Sequence, residues 1–125
     1  MSDVRSVDRI YDQTDQTAKI VNQESPAKPG NQLVLDAGNN NTCTMWTPWC
    51  DSQAEMNESH YIEVTIGPDD PANRLQIFQS GDYVWYTTQL DYSLRQHVQG
   101  DNASGKGEYN MYIQSDRTIR YEKFA

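Results

Sequence analysis

At 125 residues the chain has the length of one domain, and its formal net charge of −8 has the wrong sign for a phosphate backbone or an anionic lipid surface. Its ten Lys and Arg are scattered, with Arg117, Arg120 and Lys123 the nearest thing to a basic patch, so nucleic-acid binding is not expected. Eight Tyr and three Trp argue against disorder, which comes with few aromatics.

The N-terminal stretch MSDVRSVDRIYDQ is polar and lacks the apolar segment of a secretory signal. The expectation is a cytoplasmic protein, or one exported without a classical signal peptide. No apolar run approaches the ~20 residues that span a bilayer. Next come two short strand candidates, Arg9-Ile10-Tyr11 and Ala18 to Val21, which could pair across the polar connection 12–17. The turn signal SPAKPG at 25–30 precedes Leu33-Val34-Leu35, another short strand, and AGNNN at 37–41 follows it.

Cys43 and Cys50 flank TMWTPW, a spacing compatible with a small disulfide loop or with an ordinary reduced pair. Two cysteines without a nearby His make a poor zinc site, which needs four ligands. Asp51 to Ser59 is polar and reads as a loop with a turn of helix. Tyr61 to Ile66 then alternates with period two: Ile62, Val64 and Ile66 point inward, and Tyr61, Glu63 and Thr65 point outward.

The clearest element is a β-hairpin within Arg74 to Thr88, RLQIFQSGDYVWYTT, with its two-residue turn at Ser80-Gly81 or Gly81-Asp82. Either turn puts Leu75, Ile77, Val84 and Tyr86 on one face and Gln76, Phe78, Tyr83 and Trp85 on the other. After GDNASGKG at 100–107, Met111, Ile113, Ile119 and Tyr121 suggest a second hairpin turning around Ser115-Asp116-Arg117. That turn sets Met111 opposite Tyr121, Ile113 opposite Ile119, and Tyr112 against Arg120 on the outer face.

The whole predicts a single all-β domain over residues 1–125: an antiparallel β-sandwich, jelly-roll-like or similar, of about eight short strands, with a small β-barrel as the alternative. No P-loop, GxSxG, dinucleotide fingerprint or HExxH occurs, so catalysis is not expected. The reactive-looking residues Glu58-Ser59-His60, His97, and the carboxylates Glu63 and Asp82 have no spacing that selects them.

Aromatic faces with adjacent amides and carboxylates suit sugars, whose C–H faces stack on rings and whose hydroxyls need forked hydrogen bonds. Two groups fit: Trp85, Tyr83 and Gln76, and Trp46, Trp49 and Asp51. The leading expectation is therefore a non-enzymatic, lectin-like module recognising a neutral glycan. A cytolysin-like lipid binder in peripheral membrane contact through Trp46, Pro48 and Trp49 is one alternative. Another is a cavity-type β fold that binds or converts a small hydrophobic molecule. An exposed row of Phe78, Tyr83 and Trp85 would equally serve a homo-oligomer. No cofactor is expected. Calcium is the one cation that the loop aspartates Asp69, Asp70, Asp82, Asp91 and Asp101 would suit, although Asp is also a common turn residue.

Overall fold

A turn at Gly81-Asp82 organises the centre of the molecule. Ser80 stands opposite Tyr83, Phe78 opposite Trp85 and Ile77 opposite Tyr86, and Gly81 takes φ +58°, a left-handed value that costs glycine nothing. The two faces of this hairpin divide as its alternation predicts: Ile77 and Val84 lie in the main core, whereas Phe78 belongs to a second cluster.

The computed structural model describes residues 5–124; Met1 to Val4, which open the polar N-terminal stretch, lie outside the described residues. Its strands are β1 (Arg5–Asp12), β2 (Ala18–Asn22), β3 (Gln32–Leu35), β4 (Asn40–Thr47), β5 (Ile62–Ile66), β6 (Arg74–Ser80), β7 (Tyr83–Thr87), β8 (Gln96–His97), β9 (Gln99–Gly100), β10 (Gly107–Ile113) and β11 (Ile119–Lys123). One short helix, α1 (Gln53–Asn57), is capped by Ser52, whose side chain accepts from Glu55 N. The fold is mostly β, in two sheets not closed into a barrel. One sheet has five strands in the order β4-β1-β10-β11-β9, and the other has six in the order β3-β2-β5-β6-β7-β8. Val7, Met111 and Tyr121 of the first sheet share a core with Ile20, Val64 and Ile77 of the second. No helix among the described residues is long and apolar enough to cross a membrane.

The β10–β11 hairpin has the expected register, with Met111 opposite Tyr121, Tyr112 opposite Arg120 and Ile113 opposite Ile119. Gln114 N donates to Thr118 O, so residues 115–117 form the three-residue turn, with Arg117 at φ +65°. Asp116 Oδ1 accepts from Thr118 N and Oγ1.

Three expectations need correction. First, β1 and β2 do not pair: β1 lies between β4 and β10, while β2 lies between β3 and β5. The chain crosses between sheets at the end of β1, where Asp12 Oδ1 accepts from both Thr14 N and Thr14 Oγ1 and folds the connection back on itself. Second, the sheets are not purely antiparallel, because β1–β10 and β9–β11 are parallel pairs. Parallel neighbours need a long crossover, and nearly the whole chain separates β1 from β10. Third, β4, β8 and β9 join the eight strands read from the sequence. β4, NNTCTMWT, is an edge strand with few apolar positions, and β8 and β9 are two residues each, too short to show a period.

β5 begins at Ile62, opposite Ile77, and farther along β6 its edge is taken over by residues 48–50. Gln79 makes the junction. Its backbone N donates to Pro48 O (2.7 Å) and its backbone O accepts from Cys50 N (2.9 Å). Its side-chain amide, fully buried, donates to Thr47 O (2.7 Å) and accepts from the half-buried Gly105 N (2.8 Å). Gln79→Leu leaves the buried Thr47 carbonyl and the half-buried Gly105 N–H without their amide partner, which is expected to lower unfolding free energy by about 2 kcal/mol. Urea denaturation measures it, and a loss below about 1 kcal/mol would show that water replaces the amide.

Candidate functional site

The outward row of β6 and β7 is not an open surface. Phe78 is fully buried under the 50–61 segment, packing with Cys50, Met56 and Tyr61, and Trp85 and Tyr92 close the cluster at its margin. A row of Phe78, Tyr83 and Trp85 is therefore not a ready subunit interface.

Trp85 is half-buried. Its Nε1 donates to Ser80 O (2.8 Å), which fixes the ring edge, and the Arg95 guanidinium lies 4.8 Å from the ring centroid and 4.2 Å from that of Tyr92. Arg95 is thus stacked between two aromatic rings and covers a face that a sugar would need. His97, beside Trp85 on β8, has its ring centroid 4.3 Å from those of both Trp85 and Tyr83, and Tyr83 is 41% exposed. Asp51 joins this group and not the Trp46 group: its Oδ1 accepts from Ser80 Oγ at 2.9 Å, and Ser80 Oγ also bonds the Tyr92 hydroxyl.

Trp46, Pro48 and Trp49 do not project together from a loop. Trp46 lies within β4, its Nε1 directed at Glu24 Oε1 (3.4 Å) and its ring covered by Lys28 Nζ at 4.6 Å. Pro48 is buried, and Trp49 is bridged to Gln79 on the β6 edge.

Both cysteines are free. Cys43 lies in β4, and the extended run from it to Thr47 alone covers about 13 Å at ~3.3 Å per residue. A disulfide needs Cα atoms roughly 4.4–6.8 Å apart, so the strand keeps the two thiols out of reach. Burial pushes the Cys43 thiol up to about 12 and Cys50 up to about 11, from an ordinary 9.0. Asp8 raises Cys43 further, while the backbone near Ser52 works the other way on Cys50. Neither is a nucleophile near neutral pH.

The loop aspartates serve local structure. Asp70 caps the 3₁₀ turn Pro71–Asn73 and Asp91 caps Tyr92–Leu94. Asp101 accepts from Lys123 N, and Asp69 pairs with Arg74. Among the described residues no group of three or more His, Cys, Asp or Glu gathers as a metal site requires. His60 sits 4.0 Å from Glu55, and Ser59 occupies a left-handed turn. Glu63 stands opposite Gln76, six residues along the hairpin from Asp82. That is roughly 20 Å of strand, twice what a glycosidase carboxylate pair spans.

What the geometry does build is a cavity of about 380 Å³ beside Gln76, on the outer side of the six-stranded sheet. Its polar lining is Glu63, Arg74 and Gln76, contributed by β5 and β6, with Thr88 and Gln89 from the loop after β7. Pro71, Ala72 and Leu90 give it apolar walls. Gln76 is 2% exposed, and its Oε1 accepts from Thr87 Oγ1 (2.7 Å), which fixes the orientation of the amide. Arg74 Nη2 is held by the exposed Asp69 at 2.5 Å, and Nε is buried with no partner. Asp69 raises the Arg74 guanidinium, and Arg74 in return holds Asp69 below the usual carboxylate range. Glu63 Oε1 accepts from Gln23 Nε2 (3.1 Å). Among the sequence's ligand-binding candidates only Gln76 lines this cavity, together with Glu63, which the sequence offered only as a catalytic carboxylate. Arg74 was within reach of the same reading, because residues 74, 76 and 78 share one parity, as was outward-facing Glu63 on the neighbouring strand.

A smaller cavity of about 270 Å³ lies across Asp8, Arg9, Thr42, Asn110 and Phe124 on the other sheet. There Arg9 is already engaged by Asn40 Oδ1 at 2.6 Å.

No protein-family model, curated protein or solved structure matches this chain.

Two outcomes follow from the placement of these side chains. Trp85→Ala is expected to lower stability by about 2 kcal/mol, because the ring closes the Phe78 cluster and carries Arg95. A melting temperature within a degree of wild type would instead make Trp85 a free surface ring. The thiols make stability fall at high pH. Unfolded thiols ionise near 9.0 and folded ones hold their protons to about 11 and 12, so the unfolded state loses protons first. Their stabilising contribution is complete below about pH 9 and is lost as pH rises towards 12. Urea curves across that window should fall less steeply for Cys43→Ala than for wild type, and identical slopes would remove Cys43 as a cause.

Proposed function

We propose that the chain is a single all-β domain whose two sheets pack as a sandwich, and that it works as a lectin-like binding module with its site in the cavity around Gln76. The observation that carries this reading is a cavity of about 380 Å³ whose wall brings Glu63, Arg74 and Gln76 together with Pro71, Ala72 and Leu90. Small-molecule sites occupy roughly 300–1,000 Å³ and combine an apolar lining with a few fixed polar groups. Here Arg74, Gln76 and Glu63 supply donors and an acceptor for hydroxyls. Pro71, Ala72 and Leu90 supply apolar contact for the C–H face of a ring.

In this reading Trp85 and Tyr83 support the site's surroundings, and the first contacts belong to Gln76 and its neighbours. Gln76 is half pre-organised, since Thr87 already fixes its amide orientation. The binding mode is rigid and modest in area, as suits a module that gains affinity by presenting several copies of its site.

The test is a glycan array followed by calorimetric titration of the best sugar. Arg74→Met keeps the apolar stem and removes the donors. It should weaken binding at least tenfold while leaving the melting temperature within a few degrees, because the Asp69 pair it also removes is exposed and contributes little. A blank array with folded protein, or unchanged affinity in Arg74→Met, would overturn the assignment.

A further inference from the structure

We propose that Tyr11 and Tyr112 form an oxidative modification site. Under a one-electron oxidant of the peroxidase class, with hydrogen peroxide as the final electron acceptor, their rings couple into a biphenol that staples β1 to β10. This is independent of the glycan reading, since neither ring lines the cavity around Gln76.

Tyr11 and Tyr112 are register partners in the parallel β1–β10 pair, and their chain neighbours Ile10, Met111 and Ile113 point into the core. Both rings therefore stand on the outer face of the five-stranded sheet. They stack with centroids 4.6 Å apart and planes 7° apart, and both are half-buried, so their edges meet solvent. Burial raises the Tyr112 phenol above its ordinary 10.0, as does its hydrogen bond to the Glu122 carboxylate, while Asn110 works the other way. The ring is thus a protonated phenol with a base at its hydroxyl. A phenol that loses an electron becomes a strong acid, and Glu122 is in place to take the proton.

Each phenol gives one electron to the oxidant and loses its hydroxyl proton, which leaves two phenoxyl radicals with spin on the ring carbons ortho to oxygen. A bond forms between one Cε of each ring. Those two carbons then release their hydrogens as protons, and the two oxygens take up protons, restoring both aromatic phenols. The protein loses two hydrogen atoms, and one hydrogen peroxide becomes two waters. Other tyrosines lack this arrangement. Tyr109 and Tyr121 are 6.1 Å apart, tilted by 42° and buried. Tyr83 is exposed, but its ring meets Trp85 and His97, and that of Tyr92 meets Phe78. A bond between residues 11 and 112 closes a loop over most of the chain, which restricts the unfolded state as a disulfide would.

The test treats dilute full-length protein with a haem peroxidase and hydrogen peroxide, beside Tyr11→Phe, Tyr112→Phe and Tyr83→Phe, which keep their rings. The expected product is a monomer lighter by two hydrogens with biphenol fluorescence. Its tryptic map should join residues 10–19 to residues 107–117, with fragmentation placing the bond at Tyr11 and Tyr112. Either Tyr11→Phe or Tyr112→Phe should abolish it, and Tyr83→Phe should keep it. The linked protein should melt at least about 5 °C higher than the untreated chain. Only intermolecular dimers, oxidation confined to Trp or Met, or a biphenol that survives Tyr11→Phe would overturn the site. A linked product that melts no higher would overturn its role as a staple.

Discussion

The arrangement of this molecule depends on one buried amide, Gln79. Its backbone and side chain together hold Pro48, Cys50, Thr47 and Gly105, four backbone partners from two separate segments. The end of β4 in the five-stranded sheet is thereby tied to the edge of β6 in the six-stranded sheet. The buried Thr47 hydroxyl adds a bond to the Tyr121 hydroxyl on β11 (2.8 Å), so the same junction reaches the core of the first sheet. An apolar residue at 79 would pack but could not satisfy these groups, and unsatisfied backbone inside a core costs more than the packing gains.

With the 48–50 segment clamped in place, the following residues have little choice of position. Cys50 lands beside Phe78, α1 brings Met56 over it, and Tyr61 completes the small second cluster before β5 begins. Gln53 of α1 then holds the loop after β7, donating to Leu90 O and accepting from Tyr92 N. The wall of the cavity that contains Leu90 is thus fixed by a helix of five residues, itself placed by Gln79. A cavity on the outside of the sheet is shaped by a hydrogen-bond network formed on its inside.

The legible part of this fold is the part set by local alternation. Both hairpins have their predicted facing residues, because a period of two combined with a short turn leaves one register that buries Ile77 with Val84, or Met111 with Tyr121. Long-range partnership was not legible. Nothing in Arg9-Ile10-Tyr11 states that its neighbours are β4 and β10, or that one pairing is parallel. The aromatic row was read correctly as a row, but its cover came from residues 50–61, whose polar composition gives no sign that Cys50 and Met56 turn inward. Gln76 was picked as a hydrogen-bonding residue, and its cavity partners Arg74 and Glu63 lay one parity step and one strand away.

Aromatic residues in a small acidic β protein invite a reading as ligand platforms, yet here their faces are largely used by the protein's own cations. Arg95 lies against Trp85 and Tyr92, and Lys28 lies over Trp46. With only ten basic residues in the chain, placing two of them on rings removes them from surface pairing and strengthens the acidic field elsewhere. Arg74 is treated differently. Its Nη2 pairs with Asp69, which is exposed to solvent and easily exchanged, while its Nε, like that of Arg95, is buried without a hydrogen-bond partner. Its head group is held by one exchangeable surface partner, whereas Arg95 lies against two rings and Lys28 over one. The contrast among these three cations, more than the count of tryptophans, is the reason the proposed site is placed at Gln76.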